Sequence, residues 1–264
     1  MDLLRIDCRE ISGEPAKSEQ IQRAYDCLTR HGYAILDHVL PGEKMGALKA
    51  EFEARHARYL ENREYDETLE VGTGRFLVPV ALSGPFADPE LYANPFIMAM
   101  VHQALDTDAV LDNFGAIVSH AGAEKQHFHR DASPLFDSAI AAMLPAHALT
   151  VALPLVDMNE EHGTTAIWPG SHRWKSENHR DEKVQPLAPT IPVGSAFMWD
   201  YRLFHNGTPN VSPRARPMIY GSYARSWYRD AANFKKRTQR RLWYDDAFLE
   251  TVPRPNRRLF ARVL

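Results

Sequence analysis

The chain has 264 residues, of which 44% are hydrophobic and 25% charged, a composition typical of a globular protein with a large core. The formal net charge is −3, and the one basic cluster, within residues 235–241, predicts a solvated helix face rather than a nucleic-acid surface. Two cysteines without CxxC spacing give no sign of a zinc ribbon or a disulfide framework, and no long apolar run predicts a membrane span. We therefore expect no nucleic-acid partner, no membrane partner and a cytoplasmic location.

The first 110 residues or so are predicted to be mainly helical, because apolar residues recur there at helical spacing. Residues 63–86 contain glycines, prolines and one apolar run, and they predict a loop or irregular strand with the character of a lid. The other predicted elements are a helix from Ser18 to His31 ended by Gly32, a strand from Tyr33 to Leu40, a helix from Glu43 to about Leu60, and a helix from Pro89 to about Leu105.

Six short apolar runs separated by turn residues follow between about residues 111 and 230. They predict a mostly antiparallel sandwich or barrel with the earlier helices packed outside it. The runs are NFGAIVS, QHFHRD, ALTVALPLVDM, TTAIWP, GSAFMWDYRLFH and RPMIYGSYARSW. Residues 231–264 mix charged and aromatic side chains, and they predict one or two helices that cover the barrel. Without repeats or linkers, the chain is expected to form one domain over residues 1–264.

The run QHFHRD places His127, His129 and Asp131 on alternate residues. In a strand these side chains share a face, with Cα atoms of successive members about 6.6 Å apart, so two of them can converge on one ion. A lone HxD pair is a weak signal, because it often arises by chance. A third ligand has to come from elsewhere in the β-rich part, where the candidates are His147, His162, His172 and His205.

Among these histidines, His205 has the most informative surroundings. It ends the predicted strand from Ser195 to Phe204, and beyond the next turn Arg216 opens another strand. Two histidines and one carboxylate are the ligand set of non-haem iron oxygenases, and an arginine fork is suited to hold the carboxylate of an acid co-substrate.

Three blocks of the sequence resemble the phytanoyl-CoA dioxygenase family of iron(II)/2-oxoglutarate oxygenases, and most closely its natural-product tailoring members. QHFHRD resembles the Q-x-x-H-x-D block, and EEHGTTAIWPGSHRW resembles the block that ends in PGSH. HNGTPNVSPRARPMIYGSYA resembles the hairpin that carries a histidine and, eleven residues later, an arginine. His162 departs from the asparagine common in the family, but the turn residue Gly163 is kept.

The resemblance implies a mostly β fold with flanking helices, namely a distorted double-stranded β-helix of the jelly-roll or cupin-like type. It implies Fe(II), 2-oxoglutarate and O2 as cofactor and co-substrates, and hydroxylation or a related oxidation of a small organic metabolite with release of succinate and CO2. Halogenating relatives have Ala or Gly at the carboxylate position, so Asp131 favours hydroxylation. The implied site residues are His129, Asp131 and His205 as iron ligands, Arg216 for the distal carboxylate of 2-oxoglutarate, and Gln126, Thr165 and Arg75 as further contacts to it.

Two other functions are compatible with the sequence. One is a jelly-roll protein that binds a metal or ligand without turnover. The other is a cupin-type metal enzyme that uses His127 with His129 and does not need 2-oxoglutarate. Arg216 distinguishes the cupin-type enzyme from a 2-oxoglutarate oxygenase, because only a dicarboxylate co-substrate needs an arginine fork at that position. The sequence specifies neither the substrate nor the oligomeric state, and a homo-oligomer is compatible with it.

Overall fold

The structure is a computed structural model that describes residues 3–61, 69–175, 183–230 and 240–264. The strands in these ranges are β1 (Arg5–Asp7), β2 (Tyr33–Asp37), β3 (Leu69–Gly72), β4 (Arg75–Pro79), β5 (Ala81–Leu82), β6 (Val110–Ser119), β7 (Ala148–Pro154), β8 (Thr165–Ile167), β9 (Ala196–Asp200), β10 (His205–Gly207), β11 (Arg216–Ala224) and β12 (Trp243–Tyr244). The α-helices are α1 (Glu19–His31), α2 (Gly42–Glu61), α3 (Pro89–Tyr92), α4 (Pro95–Leu105) and α5 (Phe248–Thr251).

Eight strands form the main sheet, in the order β1-β2-β9-β7-β11-β6-β4-β3. Neighbouring strands in it are antiparallel except for the parallel pair β1 and β2. β10 and β8 form a small antiparallel sheet, and β12 pairs with β5. The predicted class, mostly β with flanking helices, is confirmed.

The two faces of the main sheet contact different parts of the protein, as the alternating side chains of β11 illustrate. Ile219 and Tyr223 join the apolar core that the sheet shares with α1, α2 and α4. Met218 and Tyr220 project from the other face and line an internal cavity. The period-2 geometry of a strand therefore lets one element serve both the core and the cavity.

Helix α1 begins and ends at residues that the sequence identifies. The Ser18 hydroxyl accepts the N–H of Gln20, which caps the first turn. Gly32 ends the helix with φ 84°, a left-handed conformation that suits glycine. A Cβ on Gly32 would also lie 2.6 Å from Leu203 and 2.7 Å from the His172 ring. The predicted helix end is confirmed, and close packing adds a second reason for glycine.

The helix predicted from Pro89 to about Leu105 is in fact two helices, so that prediction is wrong. Asn94 precedes Pro95, and a residue before proline is disfavoured in helical conformation. Asn94 has ψ 133°, and its side chain accepts the N–H of Phe96 to start α4.

Two predicted strands of the β-rich part also differ from the structure. The strand expected to run up to Phe204 ends at Asp200, and a turn then carries the chain into the small sheet, where His205 begins β10. The run QHFHRD is not a regular strand, because a single bridge between His129 and His205 is its only ladder contact among the described residues. The alternation rule alone therefore does not account for the geometry of this run.

Two predicted segments fall partly outside the described residues. Of the expected lid at 63–86, residues 69–79 form the hairpin of β3 and β4, while residues 62–68 lie outside the description. Of the expected covering segment, residues 231–239 lie outside it, and the following part buries Phe248 and Phe260 against Tyr92. In the described ranges, no helix combines the length and apolarity that a membrane crossing requires.

Candidate metal centre

His129 and His205 face each other across two antiparallel segments. The N–H of His129 donates to the carbonyl of His205 at 3.1 Å, and the N–H of His205 donates back at 2.8 Å. Directly opposed residues of an antiparallel pair project to the same face. Asp131 completes the group, since one donor atom from each of the three residues lies within 4.8 Å of the others. The three side chains are thus placed where they could hold one metal ion.

Backbone carbonyls orient both imidazole rings. Nδ1 of His129 lies 2.9 Å from the carbonyl of His127, and Nδ1 of His205 lies 2.9 Å from the carbonyl of Leu203. A carbonyl can only accept, so each Nδ1 carries a hydrogen, and in the neutral ring the lone pair is then on Nε2. Burial, reinforced by the neighbouring His205, lowers the pKa of His129 to about 4. The ring is therefore neutral at pH 7, the form that binds a metal.

Two side chains that no sequence pattern indicated orient Asp131. The Thr150 hydroxyl donates to Oδ2 at 2.8 Å, and the Trp199 indole N–H donates to the same oxygen at 3.0 Å. The other oxygen, Oδ1, lies 3.6 Å from Nε2 of His205. Both donors come from adjacent strands, β7 and β9, in which every residue is buried, so the sequence carried no signal that would single them out.

The donor set fits a divalent transition metal. Two imidazole nitrogens and one carboxylate oxygen on one side leave the opposite side open, as in non-haem iron(II) sites. His127 does not belong to this set: its ring centroid is 5.0 Å from that of His129, its side chain is exposed, and it is absent from the group of converging atoms. The H-x-H arrangement of a cupin-type site is thus not formed by the described residues.

The three residues border a cavity of about 350 Å³ between the main sheet and the small sheet. This volume falls in the range of small-molecule sites. A larger cavity of about 510 Å³ lies near α1 and residues 142–146, away from the three converging ligands. Each remaining residue predicted for co-substrate binding lines the smaller cavity, namely Arg75, Gln126, Thr165 and Arg216.

Arg216 is the most informative of these residues. It is 2% exposed, and in the described part of the chain its Nε and Nη1 have no hydrogen-bond partner. Burial, with Arg75 nearby, lowers its pKa to about 9, which leaves the guanidinium charged at pH 7. A buried cation without a partner is costly, so this group is suited to an anion that enters the cavity.

Arg75 and Arg216 lie on either side of Ser119, which pairs with both of them across β4, β6 and β11. Their side chains therefore project to the same face, but Arg75 is used differently. Its Nη1 donates to the carbonyl of Glu124 at 3.1 Å, and its Nη2 donates to that of Thr208 at 2.8 Å. Arg75 thus ties the segment that leads to His129 to the segment that follows His205.

Gln126 joins the same two segments. Its Oε1 accepts the N–H of Gly207 at 2.8 Å, and its Nε2 donates to the carbonyl of Val71 in β3. Gly207 has to be small here, because a Cβ would lie 2.6 Å from Cζ of Arg75 and 2.8 Å from Oε1 of Gln126. Thr165 pairs with Gly207 from the other side, on β8. We call Arg75, Gln126 and Gly207 the clamp.

A buried ion pair shapes the turn before His205. Arg202 donates through Nη2 to Asp200 at 2.7 Å, and both side chains are 4% exposed. Nη1 of Arg202 also donates to the carbonyl of Leu144 at 2.9 Å. The pair therefore braces the turn that moves the chain from β9 into β10.

Comparison with known proteins identifies relatives of the chain. The family model described as Phytanoyl-CoA dioxygenase (PhyH) matches residues 28–218. "Dioxygenase af480" of Aspergillus fumigatus is 26% identical over 156 residues, which cover 58% of this chain and 50% of that protein. The chain therefore spans half the length of this curated relative.

Two solved structures share the fold. AviO1 from Streptomyces viridochromogenes Tue57 gives a TM-score of 0.62 at 18% identity, covering 79% of this chain and 96% of that one. The epimerase SnoN, solved in complex with Fe3+, alpha ketoglutarate and nogalamycin RO, gives a TM-score of 0.56 at 19% identity, covering 78% and 84%. With the family model matching well over half of its length, the chain belongs to the phytanoyl-CoA dioxygenase (PhyH) family.

Proposed function

We propose that the protein is an iron(II)- and 2-oxoglutarate-dependent dioxygenase that hydroxylates or otherwise oxidises a small organic metabolite, as natural-product tailoring enzymes do. Oxygen, 2-oxoglutarate and a C–H bond would give the hydroxylated product, succinate and CO2. Family membership and the Fe3+ and alpha ketoglutarate in the related SnoN structure support this pair of cofactor and co-substrate.

One observation carries the proposal, namely that Arg216 is buried and unpaired among the described residues in the cavity that His129, Asp131 and His205 also border. A metal-binding protein without an acid co-substrate would gain nothing from a buried cation there. An arginine fork can accept a carboxylate through two parallel hydrogen bonds. The pairing of a metal triad with this cation supports a 2-oxo diacid more than any other ligand class.

In this proposal His129, Asp131 and His205 hold the iron. The carbonyls of His127 and Leu203 keep the two Nε2 atoms directed at it. Fixing the ring tautomers and the carboxylate orientation in this way raises the affinity of a site for its metal. The bound ion supplies oxygen activation, and the chain supplies the geometry.

Arg216 in turn holds the distal carboxylate of the co-substrate. Leu77, Ile117 and Met218 line the neighbouring wall of the cavity and exclude water from that salt bridge. Thr165, Arg75 and Gln126 line the same cavity as Arg216. Arg75 and Gln126 each also have an N–H group that the clamp does not use. These three residues are proposed as secondary contacts to the co-substrate.

The test is release of succinate from 2-oxoglutarate by the purified protein with Fe(II), ascorbate and O2, with candidate metabolites as stimulants. We expect 2-oxoglutarate-dependent succinate in the wild type and none in Asp131→Ala. Wild-type protein that binds iron but never turns over 2-oxoglutarate would instead support the non-catalytic alternative. Turnover of a substrate without 2-oxoglutarate would support the cupin-type alternative.

A further inference from the structure

A second polar cavity, of about 360 Å³, lies beside the N-terminal half of β6. It shares no lining residue with the metal cavity. Its charged lining residues are Arg229, Arg240, Arg241, Arg262 and Asp112. We call it the arginine pocket.

The arginine pocket has a strong excess of positive charge. Four guanidinium groups and one carboxylate line it, a formal excess of three among the lining residues of a chain whose net charge is −3, and the Asp230 carboxylate lies close to Asp112. Asp112 forms ion pairs with Arg241, at 2.5 Å, and with Arg262, so its charge is already shared. Arg229 and Arg240 are exposed at the rim. The excess is therefore local and is not a consequence of a basic protein.

Several of these donors are held in place. Arg240 donates through Nε to the carbonyl of Leu242 at 3.0 Å, and its guanidinium lies 4.7 Å above the ring of Tyr244. Asp112 and backbone carbonyls hold the Nη groups of Arg241 and Arg262, while Nε of Arg262 is buried and has no partner among the described residues. Burial lowers the pKa of Arg262, Asp112 opposes this shift, and the positive charges of Arg229 and Arg241 add to it. Guanidinium groups fixed in this way are preorganised to receive an oxyanion.

We propose that the arginine pocket binds a phosphate-bearing anion. A phosphate monoester presents three terminal oxygens and inorganic phosphate four, with up to two negative charges near neutral pH, so a phosphate can engage more guanidinium groups than the two oxygens and single charge of a carboxylate can. The ion could be free phosphate or a phosphate group on an organic molecule. Arg241 also donates to the backbone carbonyl of Asp230, and Asp230 lines the metal cavity, so the two cavities are neighbours. The proposal does not depend on the proposed function.

The test is calorimetric titration at constant ionic strength with inorganic phosphate and, separately, with phenyl phosphate. The variant R229Q/R240Q removes two charges from the rim, and the control R254Q/R257Q removes two from exposed positions outside the pocket. R216Q removes the buried guanidinium of the metal cavity. We expect the rim variant to weaken phosphate binding at least tenfold, and the control and R216Q to bind like the wild type.

Tighter binding of phenyl phosphate than of inorganic phosphate would identify an organic phosphate as the ligand, and equal binding would identify the free ion. Binding that is absent in the wild type would overturn the proposal. So would binding that R216Q abolishes, or binding that the rim variant and the control weaken equally.

Discussion

Replacing Arg216 with methionine should stabilise the protein in the absence of co-substrate. The substitution removes a buried charge whose Nε and Nη1 have no partner among the described residues, and it keeps an unbranched side chain of similar length. Leaving a buried polar group unsatisfied costs about 1–3 kcal/mol, so we expect a gain of about 2 kcal/mol. For a domain of this size that gain corresponds to a rise in Tm of roughly 4–8 °C.

The same substitution should abolish stabilisation by 2-oxoglutarate. A ligand at one hundred times its Kd stabilises the folded state by about 2.7 kcal/mol. With manganese(II) in place of iron to prevent turnover, wild-type Tm should rise on addition of 2-oxoglutarate, while that of Arg216→Met should not change. The two proteins therefore exchange their order of stability when co-substrate is added.

Arg202 provides the matched control. It is also buried, at 3% exposure, but it is paired with Asp200. Arg202→Met leaves a buried carboxylate without its partner and should destabilise by about 3–5 kcal/mol. Thermal unfolding of the three proteins with and without 2-oxoglutarate measures all of these effects. The reasoning is refuted if Arg216→Met is destabilised like Arg202→Met, or if it keeps the wild-type response to 2-oxoglutarate.

Three further substitutions test other parts of the structure. Gly207→Ala would place a Cβ 2.6 Å from Cζ of Arg75 and should force the clamp apart, which costs about 1–3 kcal/mol in urea unfolding and weakens Fe(II) binding. Unchanged values would show that the Arg75 and Gln126 side chains can move away from the added methyl group. Thr150→Val keeps the shape but removes a donor to Asp131, so Fe(II) affinity measured by titration should fall about 10–100-fold, and an unaltered affinity would contradict the orienting role. Burial lowers the pKa of His147 to about 4 in the folded protein, whereas the unfolded value is about 6.5. Between these two pH values the unfolded state binds the proton more readily, so the free energy of unfolding of the wild type should fall as the pH drops from about 6.5 to about 4. His147→Phe should make urea unfolding less pH-dependent there, by up to about 1.4 kcal/mol per pH unit; an equally steep dependence would mean that another group titrates.

The sequence predicted which residues form the candidate site better than it predicted the backbone pairing that brings them together. Spacing and family resemblance brought His129, Asp131 and His205 together as a set. The structure forms the set by cross-strand pairing of His129 with His205, in a segment that is not a regular strand. A pairing between residues so far apart in the chain depends on tertiary register, which local alternation does not encode.

The supporting residues were harder to predict for the same reason. Thr150 and Trp199 are ordinary strand residues until β7 and β9 place them beside Asp131. The contact of Arg75 with the co-substrate stays a prediction, but no sequence pattern indicated that its two Nη groups bind backbone carbonyls of Glu124 and Thr208. By contrast, the break before Pro95 has a local cause, and the rule for residues that precede proline could have predicted it.

The central claim is that His129, Asp131 and His205 hold one ferrous ion. Anaerobic calorimetric titration with Fe(II) tests it most directly, on the wild type and on His129→Ala, Asp131→Ala and His205→Ala. We predict one ion per wild-type chain and at least a hundredfold loss of affinity, about 2.8 kcal/mol, in each variant. Wild-type affinity in any of the three would contradict the account.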